Sequence, residues 1–372
     1  MKILVTGGAG FIGSYTVDLL IERGYDVKII DNLEPQVHGN KKPSYINQKA
    51  EFVNGDITKS GTWKKCLKGV DAIIHLAALV SVGQSMYQPI RFIKVNTLGT
   101  ARLYETLLKS ENMRKNIKKI IVASSKSIYG EGAYECKTDG IVYPSLRPKE
   151  QLENKDWEVH CPICGEYVKP VGITEEKPPQ NLSVYALSKF DTERLALMFG
   201  NVFQIPTIAL RYFNVYGPRQ SLNNPYTGVA AIFMSRIKNK NPPIIYEDGN
   251  QLRDFIYVTD IAKANLMALE EEKFLVDVFN VGTGKPTSVL KIAEILIELY
   301  DSRLEPQITE EFRFGDNRHD FADISKIEKT LGWKPSIDLK DGLEKLVEWS
   351  KEEEAIDKFV EAEKERKKYF GK

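Results

Sequence analysis

An excess of either charge is missing from this chain. Its 372 residues carry 52 Lys and Arg against 51 Asp and Glu, so no global field draws it to nucleic acid or to an anionic membrane. Missing too is any apolar run of membrane-spanning length, and no repeat or low-complexity linker interrupts the sequence. The first strand begins at Lys2, which leaves no room for a signal peptide and predicts a cytoplasmic protein. Cysteine is scarce: there are four, three of them within one stretch. What remains is a length that suits one large α/β unit with a smaller lobe.

What is present begins at once. Lys2 to Thr6 read as a buried parallel strand, and Phe11 to Arg23 place apolar residues at helical spacing. Between them lies Gly7-Gly8-Ala9-Gly10, and Gly13 follows Phe11 and Ile12. Glycines there let the backbone turn tightly and approach a pyrophosphate, while the helix N-terminus offers free N–H groups. The next strand, Val27 to Ile30, ends in Asp31-Asn32 about twenty residues on, where a carboxylate accepts hydrogen bonds from adenosine ribose hydroxyls. Such a carboxylate repels a 2′-phosphate, so NAD is expected over NADP.

Further strand-like runs occur at Glu51–Val53, Ala72–Leu76, Lys119–Ala123 and Thr207–Leu210, with helical patterns between them. That alternation predicts a Rossmann-type doubly wound parallel sheet, with ligands at the carboxyl ends of its strands. Asp31, Asp56, His75, Ser124, Ser125 and Arg211 to Asn214 all fall at such ends. The expected division is a dinucleotide-binding domain over 1–216, a mainly substrate-binding lobe over 217–340 and a charged helix over 341–372. Leu343, Leu346, Val347 and Trp349 form that helix's expected buried face, and it reads as solvated beyond about Lys351.

Ser183-Val184-Tyr185-Ala186-Leu187-Ser188-Lys189 places Tyr185 and Lys189 four apart near a helix start, hence on one face. An ammonium beside a phenol favours phenolate and makes Tyr185 a candidate base. Ser124 and Ser125 close a preceding strand, from where a hydroxyl reaches the same substrate oxygen. With these motifs the chain resembles the extended short-chain dehydrogenase/reductases of the nucleotide-sugar epimerase and dehydratase family. The resemblance runs from the first strand to about Pro335. It rests on Thr6 to Gly13, His75-Leu76-Ala77-Ala78, Asn96 before Gly99-Thr100, Ser125 before Tyr129-Gly130, Tyr185 with Lys189, Leu210 to Pro218, and Arg253-Asp254-Phe255.

The resemblance implies that Tyr185 is the base, that Lys189 tunes it and holds the nicotinamide ribose, and that Ser125 orients the sugar oxygen. It implies a cofactor channel of Gly7, Gly10, Phe11, Ile12, Gly13, Asp31, Asn32, Leu76, Ala77, Ala78, Asn96 and Ser124, with Asp56 and Ile57 at the adenine. Asn214, Arg219, Arg253 and Arg313, with Asp316 on the ribose, fall on its positions for the nucleotide end of the substrate. It also implies a homodimer built through a helix bundle.

Family dehydratases carry an Asp-Glu pair after the serine, and the UDP-glucuronate decarboxylases a glutamate at the second position. This chain has Lys126 and Ser127. Without the extra acid, the reaction that remains is oxidation at C4, rotation of the keto sugar and hydride return to its other face. The expected activity is an NAD-dependent nucleotide-sugar 4-epimerase, an isomerase, acting on a UDP-glucose/galactose, UDP-uronic, N-acetyl or dTDP-deoxy sugar. The run Asp31 to Gly39, together with the insertion described next, resembles the dTDP-L-rhamnose 4-epimerase-like members. A dehydratase or decarboxylase is the enzyme alternative, and an NAD-sensing binding protein the non-enzyme one.

Between Tyr129-Gly130 and Tyr185 the chain is longer than the family usually needs by about thirty residues. The insertion, about 131–180, holds Cys136 and Cys161-Pro162-Ile163-Cys164-Gly165. Such a turn presents two thiolates to one tetrahedral ion, so a structural zinc at Cys136, Cys161 and Cys164 is one reading. Reduced thiols or a loop disulfide is the other, the disulfide disfavoured in a cytoplasmic setting. His160 is nearby but poorly placed as a fourth ligand beside Cys161, and Cys66 lies in another element.

Overall fold

A computed structural model describes residues 1–370 except 40 and 314. Seven parallel strands make the central sheet: β1 (Lys2–Thr6), β2 (Asp26–Asp31), β3 (Glu51–Asn54), β4 (Ala72–His75), β5 (Lys119–Ser125), β6 (Thr207–Tyr212) and β7 (Val276–Val281). Their order is β7-β6-β5-β4-β1-β2-β3. The reason for the apolar runs is visible in β1. Ile3 and Val5 enter the core on one face while Leu4 enters the core on the other, so alternation puts no side chain in water. Phe11–Glu22 and Val258–Glu270 pack together over the first face. On the second, Leu103 and Leu107 of Gly99–Leu108 join Ala196 and Phe199 of Val184–Phe203.

The order reverses between β1 and β4, which opens a crevice outside their carboxyl ends. His75 ends β4 at that crevice, with Nδ1 2.7 Å from Thr6 Oγ1 and Nε2 3.0 Å from Thr100 Oγ1. Complete burial, reinforced by the positive charge of Lys189, lowers its pKa to about 3. An unfolded chain takes up this proton near pH 6.5 and the folded chain does not, so stability falls as pH drops through that interval. Between pH 6.5 and 4.5 the loss from this one group is about 2–3 kcal/mol. Urea unfolding at the two pH values should show that much less acid sensitivity in His75→Gln; an unchanged pH slope would contradict the assignment.

The second lobe surrounds a separate core of Tyr216, Phe233, Ile245, Phe255, Ile292, Leu296 and Leu346. Its boundary is not a single cut at 216/217. The chain returns to the first unit through Val258–Glu270, and β7 pairs with β6 to complete the sheet. The C-terminal segment also differs from one continuous helix. Leu339–Ser350 buries Leu343, Leu346 and Val347 as expected, and a second helix spans Phe359–Phe370. The Lys238 ammonium caps the Ser350 and Glu353 carbonyls and stops the first helix. Asp357, paired with Arg236 at 3.1 Å, then accepts the Phe359 N–H to start the second. That helix is docked rather than free: Glu365 bonds the Tyr226 hydroxyl and the Tyr369 ring stacks on Tyr87 at 4.9 Å.

Within the insertion, Ala133–Cys136 pairs antiparallel with Gly140–Val142 and with Lys169–Val171. Its own core is small: Tyr134, Cys136, Val142, Val159, Cys161 and Val168.

Candidate active site

The glycine-rich turn is built by contacts that exclude a side chain. Gly7 has φ +70°, and a Cβ there would lie 2.9 Å from the Ala77 backbone. A Cβ on Gly13 would stand 2.0 Å from the Gly7 carbonyl oxygen, so the helix packs directly on the turn. Around Gly10 a Cβ would meet only that same oxygen, at 3.2 Å. Gly10 caps Phe11–Glu22 without a side chain, leaving the N–H groups of the first turn open to an anion. Donors, dipole and free approach fit a pyrophosphate.

Asp31 lies at the lip of this turn. Its Oδ2 accepts the Ala9 N–H at 3.0 Å and its Oδ1 the Leu33 N–H at 2.9 Å. The carboxylate therefore braces the glycine-rich loop, and its remaining lone pairs are available to ribose hydroxyls. Asn32 beside it is exposed. Across the sheet edge, Asp56 Oδ1 accepts the Thr58 N–H at 2.7 Å, and the buried Ile57 packs against Gly99. The N–H groups of Leu76 and Ala77 both donate to Thr6 Oγ1, at 3.2 and 3.1 Å, so Leu76, Ala77 and Ala78 leave β4 directly over the glycines.

Tyr185 and Lys189 share one face of the Val184–Phe203 helix, and Tyr185 meets Ser125. Ser183 caps the Val184–Phe203 helix by accepting the Ala186 N–H, and Ser85 Oγ accepts the Tyr185 N–H at 3.0 Å. Tyr185 is thus fixed in the first turn. Its hydroxyl faces Ser125, whose hydrogen bond favours ionisation, but complete burial outweighs this and pushes the phenol up to about 12. Burial likewise brings Lys189 down to about 8, against the pull of Glu193. Lys189 lies four residues on along the same helix, hence on the same face as Tyr185, where an ammonium favours phenolate.

Two assigned groups have other partners. The Ser124 hydroxyl is committed to Glu193 at 2.7 Å, because Glu193 is a buried carboxylate held also by Arg211 at 2.6 Å. Its side chain therefore fastens β5 to the Tyr185 helix. Asn96 is 1 % exposed, in the π-helical turn Ile93–Leu98. Its amide joins Leu79, at 2.8 and 3.0 Å, to Ser188 at 2.9 Å, so it shapes the channel by holding the strand-end loop to the helix.

At the substrate end, Asn214 begins the short strand Asn214–Tyr216, in register with Phe255 of Leu252–Tyr257. Arg253 directs Nη1 to the Arg318 carbonyl and Nη2 to the Asn317 carbonyl, at 2.8 and 2.9 Å, with Nε 3.4 Å from Asp320. Arg313 and Asp316 pair with each other at 2.9 Å, the guanidinium lying over the Tyr246 ring. Arg219 does not join them. It pairs with Asp18 at 2.8 Å and lies over the rings of Tyr15 and Tyr45, whose hydroxyl bonds the Ala9 carbonyl. Its placement is on the glycine-rich side, drawn there by two aromatic faces and a carboxylate.

Sequence reasoning missed three groups. Ser127 donates its N–H to Ser125 Oγ and accepts that hydroxyl at 3.0 Å, which orients it; the Ser-x-Ser spacing in a strand-end turn was the available signal. Lys126 points to Asp320 at 2.6 Å, and Asp320 Oδ1 is buried without a hydrogen-bond partner among the described residues. Asp139, in the insertion, lies against the cysteines.

Comparison with known proteins agrees with this geometry. The model of the NAD dependent epimerase/dehydratase family matches residues 3–151 and 163–282. The chain is 38% identical over 356 residues to a dTDP-L-rhamnose 4-epimerase of Burkholderia thailandensis, covering 95% of each. Its fold matches the crystal structure of UDP-glucose 4-epimerase with UDP-glucose from Thermotoga maritima (TM-score 0.77, 32% identity, 94% of this chain and 99% of that one). It also matches UDP-glucuronic acid 4-epimerase from Bacillus cereus in complex with UDP-glucuronic acid and NAD (TM-score 0.76, 28% identity, 94% and 99%). The α/β architecture, the glycine-rich turn and the Ser125–Tyr185–Lys189 group thus have one common explanation: the chain belongs to the NAD dependent epimerase/dehydratase family.

Proposed function

We infer that this protein is an NAD-dependent nucleotide-sugar 4-epimerase, inverting C4 of a nucleoside-diphosphate hexose through a transient 4-keto sugar. The observation that carries this reading is the buried group of Ser125, Tyr185 and Lys189 at the sheet crevice, with no carboxylate at position 126 or 127. When bound, NAD supplies the acceptor that takes hydride from C4 and returns it. Gly7, Gly10, Gly13 and the first turn of Phe11–Glu22 hold its pyrophosphate, and Asp31 its adenosine ribose. Tyr185 accepts the proton of the C4 hydroxyl and gives it back. Ser125, oriented by Ser127, bonds the same oxygen, and the Lys189 ammonium stabilises the phenolate. Asn214, Arg253, Arg313 and Asp316 bind the nucleotide end, Arg253 also by shaping the 317–320 segment.

The protein acts in the cytoplasm as a homodimer in this reading. Ile90 and Leu98 on one helical run, and Leu187, Met198 and Val202 on the neighbouring Val184–Phe203 helix, are exposed apolar residues suited to a helix-bundle interface. A structural zinc at Cys136, Cys161 and Cys164 completes the reading and does no chemistry in it. A panel of UDP- and dTDP-sugars tests the activity by product mass and NMR. Conversion at constant mass with inversion at C4 is expected; loss of water or carbon dioxide would instead identify a dehydratase or decarboxylase.

A further inference from the structure

The insertion repeats one turn twice. Cys136-Lys137-Thr138-Asp139-Gly140 and Cys161-Pro162-Ile163-Cys164-Gly165 share the spacing Cys-x-x-ligand-Gly, with Asp139 standing where the second turn has Cys164. Both glycines have left-handed backbones, φ +71° and +79°. Each turn closes a hairpin: Cys136 opposes Gly140 in one, and in the other the Gly165 N–H bonds the Cys161 carbonyl at 3.0 Å and the Ile163 N–H faces Cys161 Sγ at 3.5 Å. Two such knuckles facing each other are the way a chain presents four ligands tetrahedrally.

The four ligand atoms do converge. The sulfurs of Cys136, Cys161 and Cys164 and a carboxylate oxygen of Asp139 all lie within 4.8 Å of one another. Cys136 and Cys164 sulfurs are 3.5 Å apart, and Asp139 Oδ2 is 3.1 Å from Cys161 Sγ and 3.4 Å from Cys136 Sγ. Those spacings suit four donors about 2.0–2.3 Å from a common centre. His160 is not among the residues whose ligand atoms converge; its Nε2 lies 2.9 Å from Asp156 and its ring meets Tyr167 edge-on. Cys66 belongs to the core under the main sheet. The small core of the insertion supplies the need: so few apolar side chains rarely hold a segment this short without a staple.

The folded insertion touches the segment that carries the substrate-end residues. Glu158 bonds the wholly buried Arg318 at 2.6 Å and His319 at 3.1 Å, and Glu131 accepts the Arg318 N–H at 2.8 Å. Arg147 forms a two-bond pair with Glu247, which also holds Arg318. Arg253 takes its carbonyl partners from this same segment.

We propose that Cys136, Asp139, Cys161 and Cys164 form a Cys3Asp site for a divalent, thiophilic ion of the zinc class, and that this site is a clasp positioning the 316–320 segment for the nucleotide end of the substrate. The ligand set rests on geometry alone; the positioning role rests on the epimerase reading. Binding converts the three thiols to thiolates and releases their protons to solvent, with no change of oxidation state.

Metal analysis of the full-length protein purified without chelator should give one zinc per chain, and Cys164→Ser should reduce it at least tenfold while His160→Ala leaves it in place. Cobalt replacement reads the fourth ligand, because tetrahedral Co(II) bands shift when thiolate replaces carboxylate. Asp139→Cys should keep the metal and shift those bands towards a four-thiolate spectrum. Zinc near zero with four free thiols, or an intact disulfide, would overturn the site; unchanged bands in Asp139→Cys would overturn Asp139 as a ligand. If Cys164→Ser fails to fold, chelation of the wild type and readdition of zinc replaces it. Metal removal should raise KM for the nucleotide sugar about tenfold with kcat little changed. A stoichiometric, tightly held metal whose removal leaves KM unchanged would overturn the clasp and leave the site standing.

Discussion

Tyr185→Phe is expected to lower kcat at least about a thousandfold while the variant still binds NAD and nucleotide sugar. The phenol is buried, faces Ser125 and sits in a helical turn pinned by Ser183 and Ser85, so removing one oxygen leaves packing almost intact. No carboxylate stands at 126 or 127 to replace it as base. Lys189→Met should act through the same proton. Burial holds the phenol up near about 12, and without an ammonium nearby its ionisation becomes harder still. The acidic limb of the pH–rate profile should therefore move to higher pH, with kcat reduced about a hundredfold. An unmoved limb in Lys189→Met would show that the lysine only holds the cofactor.

Gly13→Ala is expected to empty the cofactor site. A single methyl carbon would stand 2.0 Å from a backbone carbonyl oxygen that cannot swing aside without moving the turn. Overpacking of this kind costs about 1–3 kcal/mol or more, and here the strain falls on the phosphate cradle itself. NAD content after purification should drop below a tenth of the wild-type value and the melting temperature should fall. Wild-type NAD content in this variant would mean that the glycines serve packing only. Gly10→Ala meets the same oxygen at 3.2 Å and should be milder for the fold.

Much of this was readable in the sequence because it depended on local physics. Strands buried on both faces had to be apolar runs, a turn closing on a helix had to be glycine, and residues four apart on a helix had to share a face. What escaped depended on distant partners. β7 lies within the stretch expected to form the second lobe, and it is half polar in sequence, with Asp277 and Asn280; Asn280 is buried where it bonds the Tyr129 hydroxyl, at 2.7 Å, and the Ile173 carbonyl. The break after Ser350 is made by Lys238, more than a hundred residues earlier. Arg219 followed a family-like run, but Tyr15, Tyr45 and Asp18 decide where its guanidinium lies. Asp139 repeats the spacing of Cys164, but only the folded hairpins bring its carboxylate beside the three sulfurs.

The central claim is that hydride leaves C4 and returns to the same carbon within one turnover. A nucleotide hexose deuterated at C4, incubated with the purified enzyme in ordinary water without added NAD, tests this most directly. The product should be the C4 epimer at unchanged mass, with the deuterium retained at C4. Epimer formed with the label exchanged for solvent hydrogen, or conversion that requires stoichiometric NAD, would contradict it.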